Sequence, residues 1–219
     1  MCNIKCIDFG RQNLKEEDVK GKDVIEVGSY DVNGSYRSIV QLLGPASYLG
    51  VDMKKGPGVD EVCDADDLLE HFGTETFDLL ISTEVIEHVR DWRRVISVFK
   101  HILKPNGVLL ITTRSMGFKY HGWPYDFWRY EIEDFRNIFS DFSIERLEKD
   151  TSEPGVLIKA KKPASFLEND LSDYKLYSII RGKRIKDAVA IDIWLAIVFS
   201  FLPKVIPTFL RERIKYRIR

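Results

Sequence analysis

Short apolar runs alternate along the chain with segments whose apolar positions fall at helical spacing. The runs are nearly continuous and rich in valine, isoleucine and leucine, as in strands buried on both faces; they are 24–27, 46–53, 59–63, 77–82 and 108–112. Between them, the patterns of 36–43, 67–72 and 91–103 predict helices. This alternation predicts a parallel sheet with helices on both faces and ligands at the carboxyl ends of the strands.

The pattern changes after the fifth predicted strand. Residues 142–147 and 155–160 predict two more strands, and the short turn between them indicates a hairpin that ends the sheet antiparallel. The predicted fold class is therefore α/β: a Rossmann-like, doubly wound, seven-stranded sheet, mostly parallel, with an antiparallel last strand. We assign residues 1–163 to this domain, with 1–22 as a polar lead-in, and 164–219 to a C-terminal helical appendage.

The first predicted strand and the loop after it form the strongest candidate for a ligand site. The strand carries an acid, Glu26, and Gly28 opens a loop that reaches Gly34 and Ser35, the predicted N-cap of the next helix. Such a strand, loop and helix N-terminus is typical of sites for polar ligands. A phosphate-binding P-loop is excluded because no lysine follows Gly34, and a dinucleotide site fits poorly because Tyr30 stands where a second glycine is needed.

Acidic residues also end the second and third predicted strands. Asp52 lies near the spacing at which an acid in such folds takes ribose hydroxyls, although a solvated acid before Lys54 is the alternative. Asp64 and Ala65 follow the third strand, and Asp66 is the predicted N-cap of the next helix.

Several segments together resemble the class I S-adenosylmethionine-dependent methyltransferases: Glu26-x-Gly28, Asp52, Asp64-Ala65, 82–89 and the Lys-Pro-Asn-Gly turn at 104–107. The resemblance implies a transferase with S-adenosylmethionine as cofactor, in which Asp52 takes the ribose and Asp64 with Ala65 takes the adenine. It implies these cofactor-binding residues: Glu26, Gly28, Ser29, Gly34, Asp52, Met53, Asp64, Ala65, Ser82 and Glu84. The glycine loop departs from the family's usual E-x-G-x-G-x-G spacing.

Methyl transfer from a sulfonium needs alignment of the acceptor, and a base when the acceptor is a hydroxyl. His121 and His88 are the candidate catalytic bases, because histidine titrates near neutrality. The aromatic-rich loop 114–130 is interpreted as a lid over the acceptor or, alternatively, as a plug against the sheet. We expect a small-molecule, sugar or lipid-linked acceptor; an inactive module that binds S-adenosylmethionine is the alternative.

The spacing of Glu84, Glu87 and His88 raises a metal-dependent alternative. Their E-x-x-E-H pattern resembles the metal-binding segment of small-RNA 3′-end methyltransferases, and on one turn of helix the three residues would share a face. The motif E-H-V is also widespread in methyltransferases that bind no metal, and a second histidine would have to come from His121. The sequence therefore favours no metal site, with RNA 3′-end methylation as an alternative.

Charge and composition limit the kinds of partner that we expect the chain to bind. The net charge of −1 gives no global field for nucleic acid, so a nucleic-acid partner is not expected. Three cysteines form no disulfide framework and the first residues lack an apolar signal region, which favours the cytoplasm. The apolar run 188–202 is too short to span a bilayer, and a basic segment, 211–219, follows it. Packing on the domain, a homodimer contact, and peripheral contact with the inner membrane surface stay open for the appendage.

Overall fold

The computed structural model describes residues 4–122, 125–192, 194 and 197. The strands are β1 (Asp23–Val27), β2 (Ser47–Asp52), β3 (Glu61–Val62), β4 (Phe77–Thr83), β5 (Leu103–Arg114), β6 (Trp128–Arg129), β7 (Ser143–Lys149), β8 (Gly155–Lys161), β9 (Leu176–Ser178) and β10 (Lys183–Ile185). The helices are α1 (Ile4–Asn13), α2 (Glu16–Val19), α3 (Arg37–Leu42), α4 (Leu68–Phe72), α5 (Trp92–Ile102) and α6 (Ile132–Ile138).

Seven strands form the main sheet in the order β3-β2-β1-β4-β5-β8-β7. The first five of these are mutually parallel, and β8 runs antiparallel to both β5 and β7. The predicted sheet, mostly parallel with an antiparallel last strand, is confirmed. The chain moves outward from β1 to β3 and then returns to β4 on the other side of β1. This reversal opens a crevice for a ligand outside the carboxyl ends of β1 and β4.

Apolar side chains cover both faces of the sheet, which explains why the strand sequences are nearly continuous apolar runs. On one face Val24 packs in a buried cluster with Phe9 of α1 and Val40 of α3. On the other face Ile25 belongs to a second buried cluster that includes Val95 of α5. The two clusters pack against opposite faces of the sheet and hold its strand ends in position.

The prediction of a polar lead-in at residues 1–22 is wrong for its described part. Residues 4–19 form α1 and α2, and Cys6, Phe9 and Val19 are buried. The buried positions are few and flanked by charges, so their helical spacing is a weak signal in the sequence. The Tyr36 hydroxyl donates a hydrogen bond to the Cys6 carbonyl, so α1 covers the start of α3.

Two of the three predicted helix caps lie one residue too early. The N-caps of α3 and α4 are Tyr36 and Asp67 instead of Ser35 and Asp66, and neither side chain makes a capping hydrogen bond. The Ser35 hydroxyl instead accepts a hydrogen bond from the Arg37 amide at 3.0 Å. The predicted cap at Asp91 is confirmed, because its carboxylate accepts a hydrogen bond from the amide of Arg94, at 3.3 Å.

The described part of the appendage packs on the main domain, and the prediction that the appendage is helical is wrong for Leu176–Ser178 and Lys183–Ile185, which form strands. β9 pairs with β6 and with β10 in a small antiparallel sheet, and the Arg184 guanidinium contacts the Asp134 carboxylate of α6 at 2.7 Å. Most of the apolar run 188–202 and all of the basic segment 211–219 lie outside the described residues. The division at residue 163, the homodimer contact and the membrane contact therefore stay predictions. Within the described ranges, no helix is long and apolar enough to cross a membrane.

Candidate active site

The end of β1 turns sharply at Gly28. The amides of Gly28 and Ser29 donate hydrogen bonds to the Val51 carbonyl at 2.9 and 3.0 Å, which fastens the turn to β2. Gly28 has φ of 81°, and a Cβ atom there would lie 2.1 Å from Cγ2 of Val85. Both the positive φ and the close approach of Val85 require glycine at this position.

Glu26 is buried and holds the glycine loop to its neighbours. Its carboxylate accepts hydrogen bonds from the Ser35 hydroxyl at 3.0 Å, from the Tyr36 amide at 3.4 Å, and from the Tyr48 hydroxyl. Burial raises the pKa of Glu26, although these hydrogen bonds oppose the shift. Gly34, farther along the loop, donates its amide hydrogen to the Asp31 carboxylate at 2.8 Å. Direct contact of Glu26 or Gly34 with the cofactor stays a prediction.

The predicted ribose and adenine residues lie at neighbouring strand ends. Asp52 ends β2, and its carbonyl accepts a hydrogen bond from the Cys63 amide at 3.0 Å, just before Asp64. One carboxylate oxygen of Asp52 accepts a hydrogen bond from the Lys54 amide at 2.9 Å. One carboxylate oxygen of Asp64 accepts a hydrogen bond from the Asp66 amide at 3.2 Å. The Asp64 side chain is exposed and Ala65 is buried, while Met53 beside them is 59% exposed. The structure therefore brings Asp52, Met53, Asp64 and Ala65 to one edge of the sheet.

Two buried hydroxyls lie where β1 and β4 end. Ser29 and Ser82 are 2% and 0% exposed, and within the described part of the chain neither Oγ atom has a hydrogen-bond partner. Ser82 pairs in register with Val27, so both serines lie at the crevice where the strand order reverses. A buried hydroxyl without a partner is unfavourable unless a ligand or water satisfies it. These groups fit a polar cofactor such as S-adenosylmethionine.

Glu84 follows β4 in a strained conformation. It is 5% exposed and has φ of 58°, a value that residues other than glycine rarely adopt. Its carboxylate forms an ion pair with Arg114 and accepts a hydrogen bond from the Thr112 hydroxyl at 3.1 Å. Burial and the nearby Glu87 raise the pKa of Glu84, whereas Arg114 opposes that shift. The predicted cofactor residue Glu84 therefore has its partners within the protein.

Both candidate bases lie together beside Glu87, after the carboxyl end of β4. The imidazole rings of His88 and His121 have centroids 4.6 Å apart. Nε2 of His121 is 3.7 Å from Oε1 of Glu87, and Nε2 of His88 is 3.9 Å from the same oxygen. Residues 86–88 form a turn, not the helix that the E-x-x-E-H interpretation assumed, and the Glu84 carboxylate is paired with Arg114 instead.

Charged neighbours control the protonation of His121. Its Nδ1 lies 3.1 Å from Oδ2 of Asp126. Burial lowers the pKa of His121, but hydrogen bonding to Asp126 and the facing Glu87 raise it to about 9. A ring with that pKa holds its proton at pH 7, so a general-base role needs the proton to leave first. Sequence reasoning missed Asp126 as a site residue. The sequence signal for it is that an acid and a histidine occur in the same aromatic-rich loop.

The aromatic residues of the loop 114–130 divide into two groups. Phe127, Trp128 and Tyr130 are buried in the core, as the plug interpretation expects. Tyr120 and Tyr125 are 37% and 50% exposed, so the lid interpretation stays a prediction for them. The loop's Trp123 lies outside the described residues.

Comparison with known proteins identifies the family. The model of a family described as "Methyltransferase domain" matches residues 5–151. No curated protein matches the chain. Among solved structures, a S-adenosylmethionine-dependent methyltransferase from Mesorhizobium loti is 19% identical, with a TM-score of 0.55, over 71% of this chain and 96% of that one.

Two further structures share the fold. The Burkholderia thailandensis 1,6-didemethyltoxoflavin-N1-methyltransferase, solved with S-adenosylhomocysteine, is 13% identical, with a TM-score of 0.53, over 72% of this chain and 78% of that one. The [4+2]-cyclase SpnF is 15% identical, with a TM-score of 0.57, over 73% and 80% of the two chains. The family match extends over most of the chain and agrees with the observed sheet order. The chain therefore belongs to the class I S-adenosylmethionine-dependent methyltransferase family, and it is an enzyme with a Rossmann-like fold.

Proposed function

We propose that this enzyme transfers a methyl group from S-adenosylmethionine to a hydroxyl of a small-molecule or sugar-type acceptor. One observation carries the proposal. Polar side chains of two kinds meet at the same edge of the sheet: the Asp52 and Asp64 carboxylates beyond β2 and β3, and the imidazoles of His88 and His121 beyond β4. The first pair suits the cofactor's nucleoside, and the second suits a polar acceptor.

In this proposal the cofactor lies across the ends of β1, β2, β3 and β4. Asp52 accepts hydrogen bonds from the ribose hydroxyls, and Asp64 with Ala65 contacts the adenine. The unpartnered hydroxyls of Ser29 and Ser82 bind the methionine portion. The sulfonium supplies an activated methyl group, so the protein's task is to align the acceptor and to exclude water.

The acceptor side of the crevice favours a sugar-type ligand. Glu87 and the two imidazoles offer hydrogen-bonding groups, while Tyr120 and Tyr125, in the same loop as His121, have partly exposed aromatic rings. An aromatic ring beside polar groups suits a sugar, which has an apolar face and a rim of hydroxyls. Sugars joined to a lipid carrier fall within the same acceptor class.

Two measurements test the proposal. Calorimetric titration with S-adenosylhomocysteine should show binding, and labelled S-adenosylmethionine should then transfer its methyl group to members of a panel of free, nucleotide-linked and lipid-linked sugars. Mass spectrometry should locate the methyl group on oxygen. Label found only in RNA oligonucleotides would contradict the sugar acceptor, and binding without any transfer would identify an inactive cofactor-binding module.

Matched variants separate the two halves of the site. His121→Asn should reduce methyl transfer and leave the affinity for S-adenosylhomocysteine unchanged, because its ring lies on the acceptor side. Asp52→Asn should weaken that affinity instead. His101→Asn, which replaces a histidine in α5 that faces Glu168, is the control and should change neither quantity. Equal effects of His121→Asn and His101→Asn would contradict the assigned acceptor side.

A further inference from the structure

Three side chains converge beyond the carboxyl end of β4, and we call Glu87, His88 and His121 the Glu-His-His cluster. One ligand atom from each of them lies within 4.8 Å of the other two. The side chain of Glu87 is 0% exposed, while those of His88 and His121 are 25% and 16% exposed. The carboxylate is therefore fully buried, and the two imidazoles beside it are partly exposed to solvent.

Each member of the cluster is held at the atom that faces away from the other two. His88 Nδ1 lies 2.5 Å from the Tyr125 carbonyl, and His121 Nδ1 lies 3.1 Å from the Asp126 carboxylate. A carbonyl and a carboxylate only accept, so each Nδ1 is the donor and each Nε2 is directed to the cluster. Histidines that bind metals are oriented in this way, with the second ring nitrogen bonded to a carbonyl or carboxylate. The Thr113 hydroxyl likewise donates to Glu87 Oε2 at 2.9 Å and leaves Oε1 toward the rings.

Within the described part of the chain, two of the three atoms that face the cluster's centre lack hydrogen bonds. Within the described residues, neither Oε1 of Glu87 nor Nε2 of His121 has a hydrogen-bond partner, and their separation of 3.7 Å is too long for one. A fully buried carboxylate oxygen without a partner is strongly unfavourable. A metal ion between the three atoms would bond to all of them, and it would displace the proton that the His121 ring otherwise holds beside Glu87.

The distances suit a metal ion. Ligand atoms at 2.0–2.2 Å from a tetrahedral ion lie about 3.4 Å apart. The observed separations from Oε1 of Glu87, 3.7 Å to His121 and 3.9 Å to His88, exceed that by a few tenths of an ångström. The two imidazole nitrogens are at most 4.8 Å apart, so rotation of the side chains has to bring them closer when a metal ion binds.

A glycine permits the approach of the loop that supplies His121. Gly122 has φ of 67°, and a Cβ atom there would lie 2.5 Å from Cε1 of His88. Any larger residue would push the loop away from the His88 ring and would separate the two imidazoles. The close contact between this loop and the His88 ring therefore depends on glycine at position 122.

We propose that the Glu-His-His cluster binds one divalent transition-metal ion, with Zn²⁺ as the model ion. Two imidazoles with one carboxylate suit Zn²⁺, Co²⁺ or Fe²⁺, whereas Mg²⁺ and Ca²⁺ prefer sites made of oxygens. Glu84 is not a ligand here, because its carboxylate is paired with Arg114. Three protein ligands leave a coordination position open. That this position takes an acceptor oxygen rests on the proposed function; metal binding itself does not.

Metal titration of the full chain tests the site directly. Protein freed of metal with a chelator is titrated with Zn²⁺ against a chromogenic indicator, and Co²⁺ is used to record the absorption spectrum of the bound ion. We expect one equivalent to bind, and Zn²⁺ to raise the unfolding temperature. Glu87→Gln and His88→Asn should each weaken Zn²⁺ binding by at least tenfold. Asp126→Asn, which loosens the orientation of His121 and also weakens the ion pair with the buried Arg129, should weaken it about 10- to 100-fold.

The chain offers a matched control, because only two of its four histidines belong to the cluster. The double variant His71→Ala/His101→Ala removes the other two imidazoles and should bind Zn²⁺ as the wild type does. Each variant's unfolding temperature without metal shows whether it folds. If Glu87→Gln does not fold, His88→Asn, at a partly exposed position, tests the site in its place. Absence of binding by the wild type, or equal loss in the control, would overturn the proposal. Since neither cofactor nor acceptor is added, that result would leave the proposed methyl transfer untouched.

Discussion

Gly28 offers a quantitative test of the crevice at the end of β1. Replacing it by alanine places a Cβ atom in a residue with φ of 81° and 2.1 Å from Cγ2 of Val85. The left-handed backbone costs about 1–2 kcal/mol in a residue other than glycine. The overlap with Val85 adds about 1–3 kcal/mol, the usual range for an overpacked site. We therefore expect Gly28→Ala to lower the free energy of unfolding by about 2–5 kcal/mol.

A second glycine separates the two contributions. Gly21 has a similar φ of 66°, but a Cβ atom there would meet nothing within 4 Å. Gly21→Ala should therefore show the backbone contribution alone. The difference between the two variants, about 1–3 kcal/mol, measures the overlap with Val85.

Urea denaturation followed by circular dichroism gives the free energy of unfolding of each variant. Adding Val85→Ala to Gly28→Ala should recover part of the loss, because it removes the overlapping methyl groups, and the coupling should appear as a non-additive term. Two results would refute the reasoning: Gly28→Ala no more destabilising than Gly21→Ala, or strictly additive effects of Gly28→Ala and Val85→Ala.

Three further predictions concern other charged groups of the fold. Asp52→Asn should weaken S-adenosylhomocysteine binding at least tenfold, since a hydrogen bond to a charged group contributes about 1.5–3 kcal/mol; unchanged calorimetric affinity would contradict this. Arg114→Met leaves Glu84 buried without its cation and should destabilise by about 3–5 kcal/mol in urea, partly recovered by adding Glu84→Gln. Hydrogen bonds from Lys104 and Ser47 lower the pKa of Asp23 below its usual value of 3.8. Ionised Asp23 therefore stabilises the folded state above pH 3.8, and this stabilisation is lost as the pH falls through the lowered pKa. Lys104→Met should therefore destabilise at neutral pH, and urea denaturation should show a smaller difference at about pH 3.

The sequence by itself determined the succession along the chain of the seven strands of the main sheet and most of their bounds, but it predicted none of β6, β9 and β10. Strands buried on both faces must be apolar throughout, so the pattern of 24–27 or 77–82 is visible without any knowledge of contacts. The same pattern located Asp52 and Asp64 at strand ends, and a parallel sheet brings such ends to one edge. The resemblance to a known family depended on these positions and on the glycine loop.

Only the tertiary structure decided which side chains meet. The interpretation of Glu84 and Glu87 as one metal-binding face assumed a helix, but the chain makes a turn there, and Arg114 pairs with Glu84 alone. His121 reaches His88 through the path of a long loop, which local patterns do not specify. Helical spacing and strand alternation report whether a position faces the core. The partner of a buried charge depends instead on the packing of segments distant in sequence, so it is decided when the chain folds.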